Sequence, residues 1–288
     1  MGSLCISIDL ELAWGIWDKP DADYHGRCAE REVTIVRRLA ELFDTYEVSA
    51  TWAIVGRLLE RDDAAAQTTE HGERIWYAPD LIEIIRGTRV EQDVGSHSYA
   101  HLYFGEATRE QLREDLAAAR RVHAQHGLPF TSFVFPRNQI AHLDLLRDAG
   151  VRVFRSVDQG WHIAVRDRLG RRAGRLANLL DKVVPIPPAV VQPIDHGGLV
   201  ELPSSMLLLA RKGLRRAVHP AMVVAKARQG LAAARRADGV FHLWFHPSNF
   251  YYDTEGQLAT LEQILRAATA LRERGELGIE PMCRYAAA

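Results

Sequence analysis

The 288-residue sequence has only three cysteines and no long apolar run. Cys5, Cys28 and Cys283 are far apart and have no C-x-x-C spacing, which argues against a disulfide framework and a thiolate metal site. No apolar stretch approaches the roughly 20 residues of a membrane span, and Asp9 interrupts the first apolar run before it could serve as a signal peptide. We therefore expect a cytoplasmic protein.

The sequence also lacks a large net charge, since 36 basic side chains balance 37 acidic ones. This near-neutrality argues against a nucleic-acid-binding protein. The charge is unevenly distributed, however: residues 166–236 contain 14 basic and four acidic side chains, a net charge of +10 that leaves −11 for the rest of the chain. The protein therefore has a strongly basic segment, which needs its own interpretation.

Within this segment, residues 206–236 interleave leucine and valine with arginine and lysine in two helix-like stretches separated near His219 and Pro220. A basic amphipathic helix can lie on an anionic membrane surface or bind diphosphate groups. We therefore expect peripheral contact at the inner membrane face. The alternatives are a solvated outer helix and an interface with another subunit.

Short β-branched runs alternate with longer amphipathic segments along the chain, a pattern typical of parallel strands connected by helices. The pattern predicts strands at 4–8, 49–55, 93–96, 130–135, 151–157, 199–202, 240–245 and 278–281, and helices at 31–46, 79–86, 108–126, 143–149 and 254–274. Seven or eight such units favour a parallel β/α barrel. The absence of G-x-G-x-x-G after the first strand argues against an open dinucleotide-binding fold. We expect one domain over residues 1–288, with a basic helical insertion at 166–236.

Polar side chains follow the predicted strands at the end where such a barrel places its active site. In chain order they are Asp9 and Glu11, His97 and His101, Arg137 and Asn138, Asp158 and Trp161, and His246. Two carboxylates, two imidazoles four residues apart, an arginine and a further histidine are the groups that a metal-assisted hydrolase requires.

Chemical need suggests a role for each group. Zinc takes about three protein ligands and leaves a position open for water, and His97, His101 and one carboxylate meet that requirement. Asp9 and Glu11 alternate along an extended chain and would point to the same side, so one can bind the metal while the other takes a proton from the water. Arg137 would keep the basic carboxylate ionised through a bidentate pair, and His246 would protonate the leaving group.

Each of these residues also has a purely structural interpretation. Asp9 and Glu11 can simply end a strand, and the histidine pair can be a coincidence of surface or capping residues in a chain with 12 histidines. The other nine histidines, among them His242, belong to no comparably complete cluster.

The motifs resemble those of the polysaccharide deacetylase family, also called the NodB-homology or carbohydrate esterase family 4 group. Residues 7–11 (SIDLE), 50–53 (ATWA), 95–101 (GSHSYAH) and 244–246 (WFH) follow the order of the family's motifs. The resemblance implies an α/β fold of the deformed (β/α)7-8 barrel type. It also implies a divalent metal ion, usually zinc (Zn2+), that serves the hydrolysis of N-acetyl or related amides on sugars.

Residue by residue, the resemblance implies that Asp9 is the general base, His97 and His101 are metal ligands and His246 is the general acid. The usual first motif has adjacent aspartates, whereas Leu10 stands at the second position here, so Glu11 is assigned as the third ligand.

Two further motifs depart from the family pattern. The third reads F-P-R-N-Q, in which Arg137 is assigned as the partner of Asp9, with Asn138 beside the substrate. Asp158 and Trp161 resemble the fourth motif, in which an acid tunes the catalytic histidine and a tryptophan lines the pocket. We also assign Trp14 to substrate binding.

The sequence thus predicts a metal-dependent N-deacetylase acting on an amino sugar in bacterial surface polysaccharide or glycoconjugate assembly, with a carbohydrate or a lipid-linked sugar as substrate. One alternative is a deformylase or amidase for a small non-sugar amide. A second is an impaired barrel that serves as a glycan-binding or scaffold subunit, which the altered motifs favour and the retained Asp9, His97, His101 and His246 oppose.

Overall fold

The computed structural model of the protein describes residues 1–16, 22–60, 76–158 and 186–286, together with residues 160, 165, 167–170, 172–174, 177 and 181. Trp161, a predicted substrate contact, lies outside the described residues, as does much of the first half of the predicted basic insertion.

The described residues form one ten-stranded sheet. The strands are β1 (Ser3–Leu10), β2 (Thr51–Ile54), β3 (Asp93–Ser96), β4 (Ser132–Val134), β5 (Val153–Ser156), β6 (Ile194–Asp195), β7 (Val200–Pro203), β8 (Met206–Leu207), β9 (Val240–Phe245) and β10 (Gly278–Ile279). Their order is β6-β7-β5-β4-β3-β2-β1-β9-β8, with β10 also paired to β1. All pairs are parallel except β6 with β7.

Six helices cover the outside of this sheet in the described residues. They are α1 (Ala22–Thr45), α2 (Asp80–Arg86), α3 (Arg109–Gln125), α4 (Leu143–Ala149), α5 (Pro220–Ala237) and α6 (Thr254–Glu273). The predicted α/β barrel of the deformed (β/α) type is confirmed, since the parallel sheet curls far enough for a β5 side chain to reach one on β1.

The first strand shows how the alternation of residues places the core and the site. Leu4, Ile6, Ile8 and Leu10 face the helices and belong to the large apolar core that the helices share with the sheet. The odd-numbered residues face the interior of the curl, where Cys5 packs in a separate apolar cluster. Ser7 and Asp9 continue that inner face toward the carboxyl end of the strand, and both are buried. A polar site therefore lies above an apolar barrel floor.

The predicted helices and strands agree closely with those observed. Helix α3 begins with the predicted capping box, in which the Thr108 side chain accepts from the amide of Gln111 while the Gln111 side chain accepts from the amide of Thr108. Helix α4 ends at Gly150, whose φ of +98° is the left-handed conformation that glycine adopts at low cost.

The stretch around Met206 does not form the helix that its composition suggested. Met206 and Leu207 instead form β8, which extends the sheet beside β9, and a short 3-10 turn follows at Gly213–Ala217. Strand pairing with Leu243 and Trp244 outweighs the local preference. The second basic stretch does form a helix, α5, whose Val224, Ala227 and Leu231 belong to the core. It is therefore an outer barrel helix.

No helix in the described ranges is long and apolar enough to cross a membrane.

Candidate active site

Asp9 lies at the end of β1, and Arg155 of β5 holds it. Arg155 donates from Nη1 to Asp9 Oδ1 at 2.6 Å and from Nη2 to Oδ2 at 2.7 Å, and both side chains are buried. Burial by itself raises the pKa of Asp9, but the charges of Arg155 and His246 outweigh it, and the pKa lies below its ordinary value. Asp9 is therefore a carboxylate in a site where an unpaired acid would be neutral.

Two further buried side chains hold Arg155 in place. Its Nη1 also donates to Ser7 Oγ at 3.1 Å, and Ser7 Oγ lies 2.9 Å from His242 Nε2. His242 Nδ1 is 3.2 Å from the Pro203 carbonyl, which can only accept, so Nδ1 carries the proton and Nε2 accepts from the serine hydroxyl. Burial, and then the charge of Arg155, lower the pKa of His242 to about 3. A neutral histidine thus orients Ser7, which orients Arg155.

Glu11, His97 and His101 converge beside Asp9, with one potential ligand atom from each lying within 4.8 Å of the others. Glu11 Oε2 is 3.3 Å from His97 Nε2 and 3.0 Å from His101 Nε2. His97 Nδ1 lies 2.8 Å from the Val134 carbonyl and must donate to it, which leaves the lone pair of Nε2 directed at the carboxylate. Two electron-pair donors this close repel each other unless a cation, either a metal ion or a proton on Nε2, lies between them.

These three residues fit a divalent metal. Both nitrogens of the buried His101 lack a well-formed hydrogen bond to any described residue, so its approach to Glu11 is not a hydrogen bond that would satisfy the ring. The carbonyl partner of His97 is the kind of contact that orients a ligating imidazole. Two imidazoles and one carboxylate leave positions open for water and substrate, as in catalytic zinc sites.

Asp115 of α3 holds the loop that carries His97 and His101. Asp115 accepts hydrogen bonds from the amides of Tyr99 and Ala100 at 2.8 and 2.9 Å. Ser98 and His101 have φ values of +64° and +55°, so the loop turns sharply at both positions. This anchoring keeps a strained loop in the one conformation that directs both imidazoles inward.

His246, which follows β9, completes the cluster from the other side. Its Nε2 lies 3.6 Å from Asp9 Oδ2 and 3.4 Å from Glu11 Oε1, and its side chain is about a quarter exposed. The Trp244 ring lies 5.7 Å from the His246 ring, centroid to centroid, and its Nε1 donates to Asp158 Oδ1 at 3.0 Å. A partly exposed histidine thus faces both carboxylates of the cluster.

The prediction that Arg137 pairs with Asp9 is wrong, because Arg155 makes that pair. Arg137 follows β4 in a turn with a φ of +54°, which directs its exposed side chain toward the Tyr103 ring and the Gly15 carbonyl. Asp9 lies across the interior of the curled sheet, within reach of the middle of β5. The guanidinium that pairs with Asp9 thus comes from β5, the strand next to β4.

The other predicted pocket residues have specific contacts. Asn138 Oδ1 accepts from Arg155 Nη2 at 3.3 Å, so it supports the arginine. Asp158 binds Ser204 Oγ and Trp244, and among the described residues it reaches His246 only through that tryptophan. Trp14 is half-buried, packs edge-to-face on Trp76 and donates to its carbonyl. These contacts leave the predicted substrate-binding roles of Asn138, Asp158 and Trp14 as predictions.

Sequence reasoning missed Arg155, Ser7 and His242. Alternation could have found two of them, because Ser7 and Asp9 share one face of β1 while His242, Trp244 and His246 share one face of β9. Arg155 gave a weaker signal, a lone charge within the apolar run VFRSV of a predicted strand.

In this β/α barrel, the cluster places two imidazoles and a carboxylate, a set that could hold a metal ion, beside an ionised aspartate at the carboxyl ends of the strands. A family model described as "Polysaccharide deacetylase" matches residues 28–154, which include both candidate metal-binding histidines and exclude Asp9, Glu11 and His246. Residues 28–154 thus match the polysaccharide deacetylase family, which confirms the resemblance that the motifs indicated.

Solved structures with the same fold extend the likeness over the whole chain. A putative polysaccharide deacetylase from Mycobacterium smegmatis is 17% identical with a TM-score of 0.68, and the match covers 99% of this chain and 88% of that one. A probable polysaccharide deacetylase from Pseudomonas aeruginosa PAO1 is 12% identical (TM-score 0.59; 99% and 91% covered). The allantoinase Puue is 11% identical (TM-score 0.62; 98% and 89% covered). Identities this low show a shared fold, and no curated protein matches the sequence.

Proposed function

We propose that the protein is a metal-dependent N-deacetylase that removes an acyl group from an amino sugar in bacterial surface polysaccharide or glycoconjugate biosynthesis. The observation that carries the proposal is the meeting of three functions within one cluster: an ionised base (Asp9), a ligand set (Glu11, His97 and His101) and an acid–base histidine (His246). The family match supports the deacetylase class.

Each residue has a defined task in this reaction. Asp9, held as a carboxylate by Arg155, takes the proton from the attacking water. A divalent metal such as zinc, bound by Glu11, His97 and His101, would polarise the acyl oxygen and lower the pKa of water. His246 donates a proton to the leaving nitrogen so that it departs as a neutral amine. Because the site supplies both base and acid, amide cleavage can proceed at neutral pH.

The test is an assay of the full-length protein loaded with zinc on a panel of substrates. Acetate release from N-acetylglucosamine oligomers supports the proposal, and turnover confined to small formamides or ureides supports the alternative of a small-amide hydrolase. Purified protein that takes up no metal and hydrolyses none of these would favour a binding or scaffold role and overturn the proposal.

Variants separate metal binding from proton transfer. We expect His97→Ala to lose metal and activity together, because it removes one of three ligands. His246→Ala should keep its metal, measured by elemental analysis, and lose activity about 10²- to 10⁴-fold. A His97→Ala protein that retained both metal and activity would show that the ligand assignment is wrong.

A further inference from the structure

A cavity of about 290 Å³ adjoins one wall of the candidate active site. Asp158 lines it, and the same carboxylate accepts from the indole of Trp244, which packs beside His246. Met206 and Leu207 of β8 also line it, and β8 pairs with the part of β9 that carries Trp244. The cavity is therefore a neighbouring compartment, separated from the acid–base histidine by one indole and its partner.

The lining of this cavity is largely aliphatic. Besides Met206 and Leu207, the side chains of Val218, Met222 and Val223 face it. The described lining also contains polar residues, among them Asp158, Ser205 and Gln257, so the compartment can contact both a hydrocarbon chain and a polar group attached to it.

One rim of the cavity is cationic. Arg211 and Arg215 line it there, and the Nε of Arg211 lies 2.8 Å from Asp253. Arg215 is exposed and forms no ion pair with any residue that the structure describes. Lys226, also in the lining, is neutralised by Asp181 at 2.5 Å. Among the described lining residues, Arg215 is therefore the cation without an acidic partner.

The turn that supplies this rim also exposes an apolar side chain. Leu214 is 96% exposed, and Lys212, Arg215 and Arg216 are exposed beside it in the same turn. A bare leucine among cations is costly in water but favourable against an anionic amphiphile, where the hydrocarbon and the headgroup are satisfied together.

We propose that this cavity binds the hydrocarbon chain of an amphiphile that bears a phosphate group, with the phosphate held by Arg211 and Arg215 at the rim. Binding is independent of hydrolysis. One consequence rests on the proposed function: if the protein is an N-deacetylase, its substrate is an amino sugar attached to a lipid phosphate, with the lipid in this cavity and the amide at Asp9 and His246.

The test is calorimetric titration of the full-length protein with dodecyl phosphate below its micelle concentration. Dodecyl maltoside supplies the same chain without a charge, and inorganic phosphate supplies the charge without a chain. We expect dodecyl phosphate to bind at least about tenfold more tightly than either control, since one charge-assisted contact accounts for about that ratio. Equal binding of the phosphate and maltoside amphiphiles, or no binding of dodecyl phosphate, would overturn the proposal.

Three variants locate the binding. Val223→Trp should fill the cavity and weaken dodecyl phosphate binding at least about tenfold. Arg215→Ser should weaken it about threefold to tenfold, whereas the matched variant Arg228→Ser, an exposed arginine of α5 outside the described lining of the cavity, should leave it unchanged. If Arg215→Ser and Arg228→Ser weakened binding equally, the effect would be one of overall charge, which contradicts the cavity.

Phosphatidylglycerol vesicles and the variant Leu214→Ser test whether the phosphate belongs to a single lipid in the cavity or to a membrane surface. If the cavity takes the chain of a single lipid, Val223→Trp weakens dodecyl phosphate binding at least about tenfold and Leu214→Ser preserves it. The reverse result would identify a membrane-surface contact in place of a cavity ligand. Asp9→Asn should bind dodecyl phosphate normally, so a failure of the proposed hydrolysis is distinguished from a failure of this binding site.

Discussion

Two buried aspartates face the interior of the same sheet, and their surroundings differ. Asp9, at the carboxyl end of β1, is held by both guanidinium nitrogens of Arg155, and its pKa is lowered. Asp93, at the start of β3, accepts from the hydroxyls of Thr51 and Ser132 and from the amide and thiol of Cys283, and burial raises its pKa. Hydrogen bonds from neutral donors do not compensate for burial here, whereas a buried cation does. One end of the barrel interior therefore holds an ionised aspartate, and the other holds a carboxyl group whose neutral form burial favours.

The largest effect should come from replacing the two carboxylates, Asp9 and Asp93, by amides. We expect Asp9→Asn to lower kcat by about 10²- to 10⁴-fold, because an amide cannot take a proton, and to leave the metal content unchanged. Asp93→Asn is the matched control, equally buried and on the same sheet, and it should keep kcat within a factor of about ten of the parent, which is far less than loss of the base costs. Comparable losses in both variants would show that Asp9 acts through folding.

The next largest effect should come from removing Arg155, the cation that pairs with Asp9. Arg155→Met should reduce the free energy of unfolding by about 3–5 kcal/mol, because it leaves Asp9 buried without its partner. Arg137→Met, which removes an exposed arginine, should cost less than about 1 kcal/mol. Urea denaturation of both variants measures the difference. Equal losses of unfolding free energy in the two variants would show that Arg137 stabilises the fold as much as Arg155 does, which contradicts this prediction.

Most of the fold could be predicted because parallel strands buried on both faces carry long β-branched runs, which are distinctive in sequence. The two histidines and Asp9 could be predicted because Asp9 lies near the end of β1 and the histidines lie in the loop that follows β3. Arg155 could not be assigned, since its contact with Asp9 depends on how tightly the sheet curls between β1 and β5, and no local pattern encodes that curvature. β8 was missed for a similar reason, since its two residues are strand only because β9 lies beside them.

A smaller effect should follow from removing the hydroxyl between Arg155 and His242. Ser7→Ala leaves the buried Nε2 of His242 without a donor, which should cost about 1–3 kcal/mol in unfolding free energy. Arg155 also loses a contact that orients it, so the pKa of Asp9 should rise and the acid limb of the pH–kcat profile should move to higher pH. Ser132→Ala removes the corresponding hydroxyl from Asp93 and should cost stability without moving the profile. An identical pH profile in Ser7→Ala and the parent would contradict the positioning role.

The smallest effect concerns a third buried carboxyl, Glu32 of α1. Among the described residues it forms no ion pair, and its Oε1 has no hydrogen-bond partner. Burial, and then the charge of Glu11, raise its pKa to about 8, although the Ser248 amide opposes them. The folded state therefore keeps a proton that the unfolded chain has already released, so stability must fall as pH rises from about 4.5 to about 8. Between pH 7 and 8 the loss should be about 1 kcal/mol, measured by urea unfolding, and Glu32→Gln should abolish it because the amide is neutral throughout. A parent protein whose stability does not change over that range would show that Glu32 is a carboxylate whose charge the barrel compensates, as it does for Asp9. The contrast between the two ends of the sheet would then not extend to α1, the helix beside it.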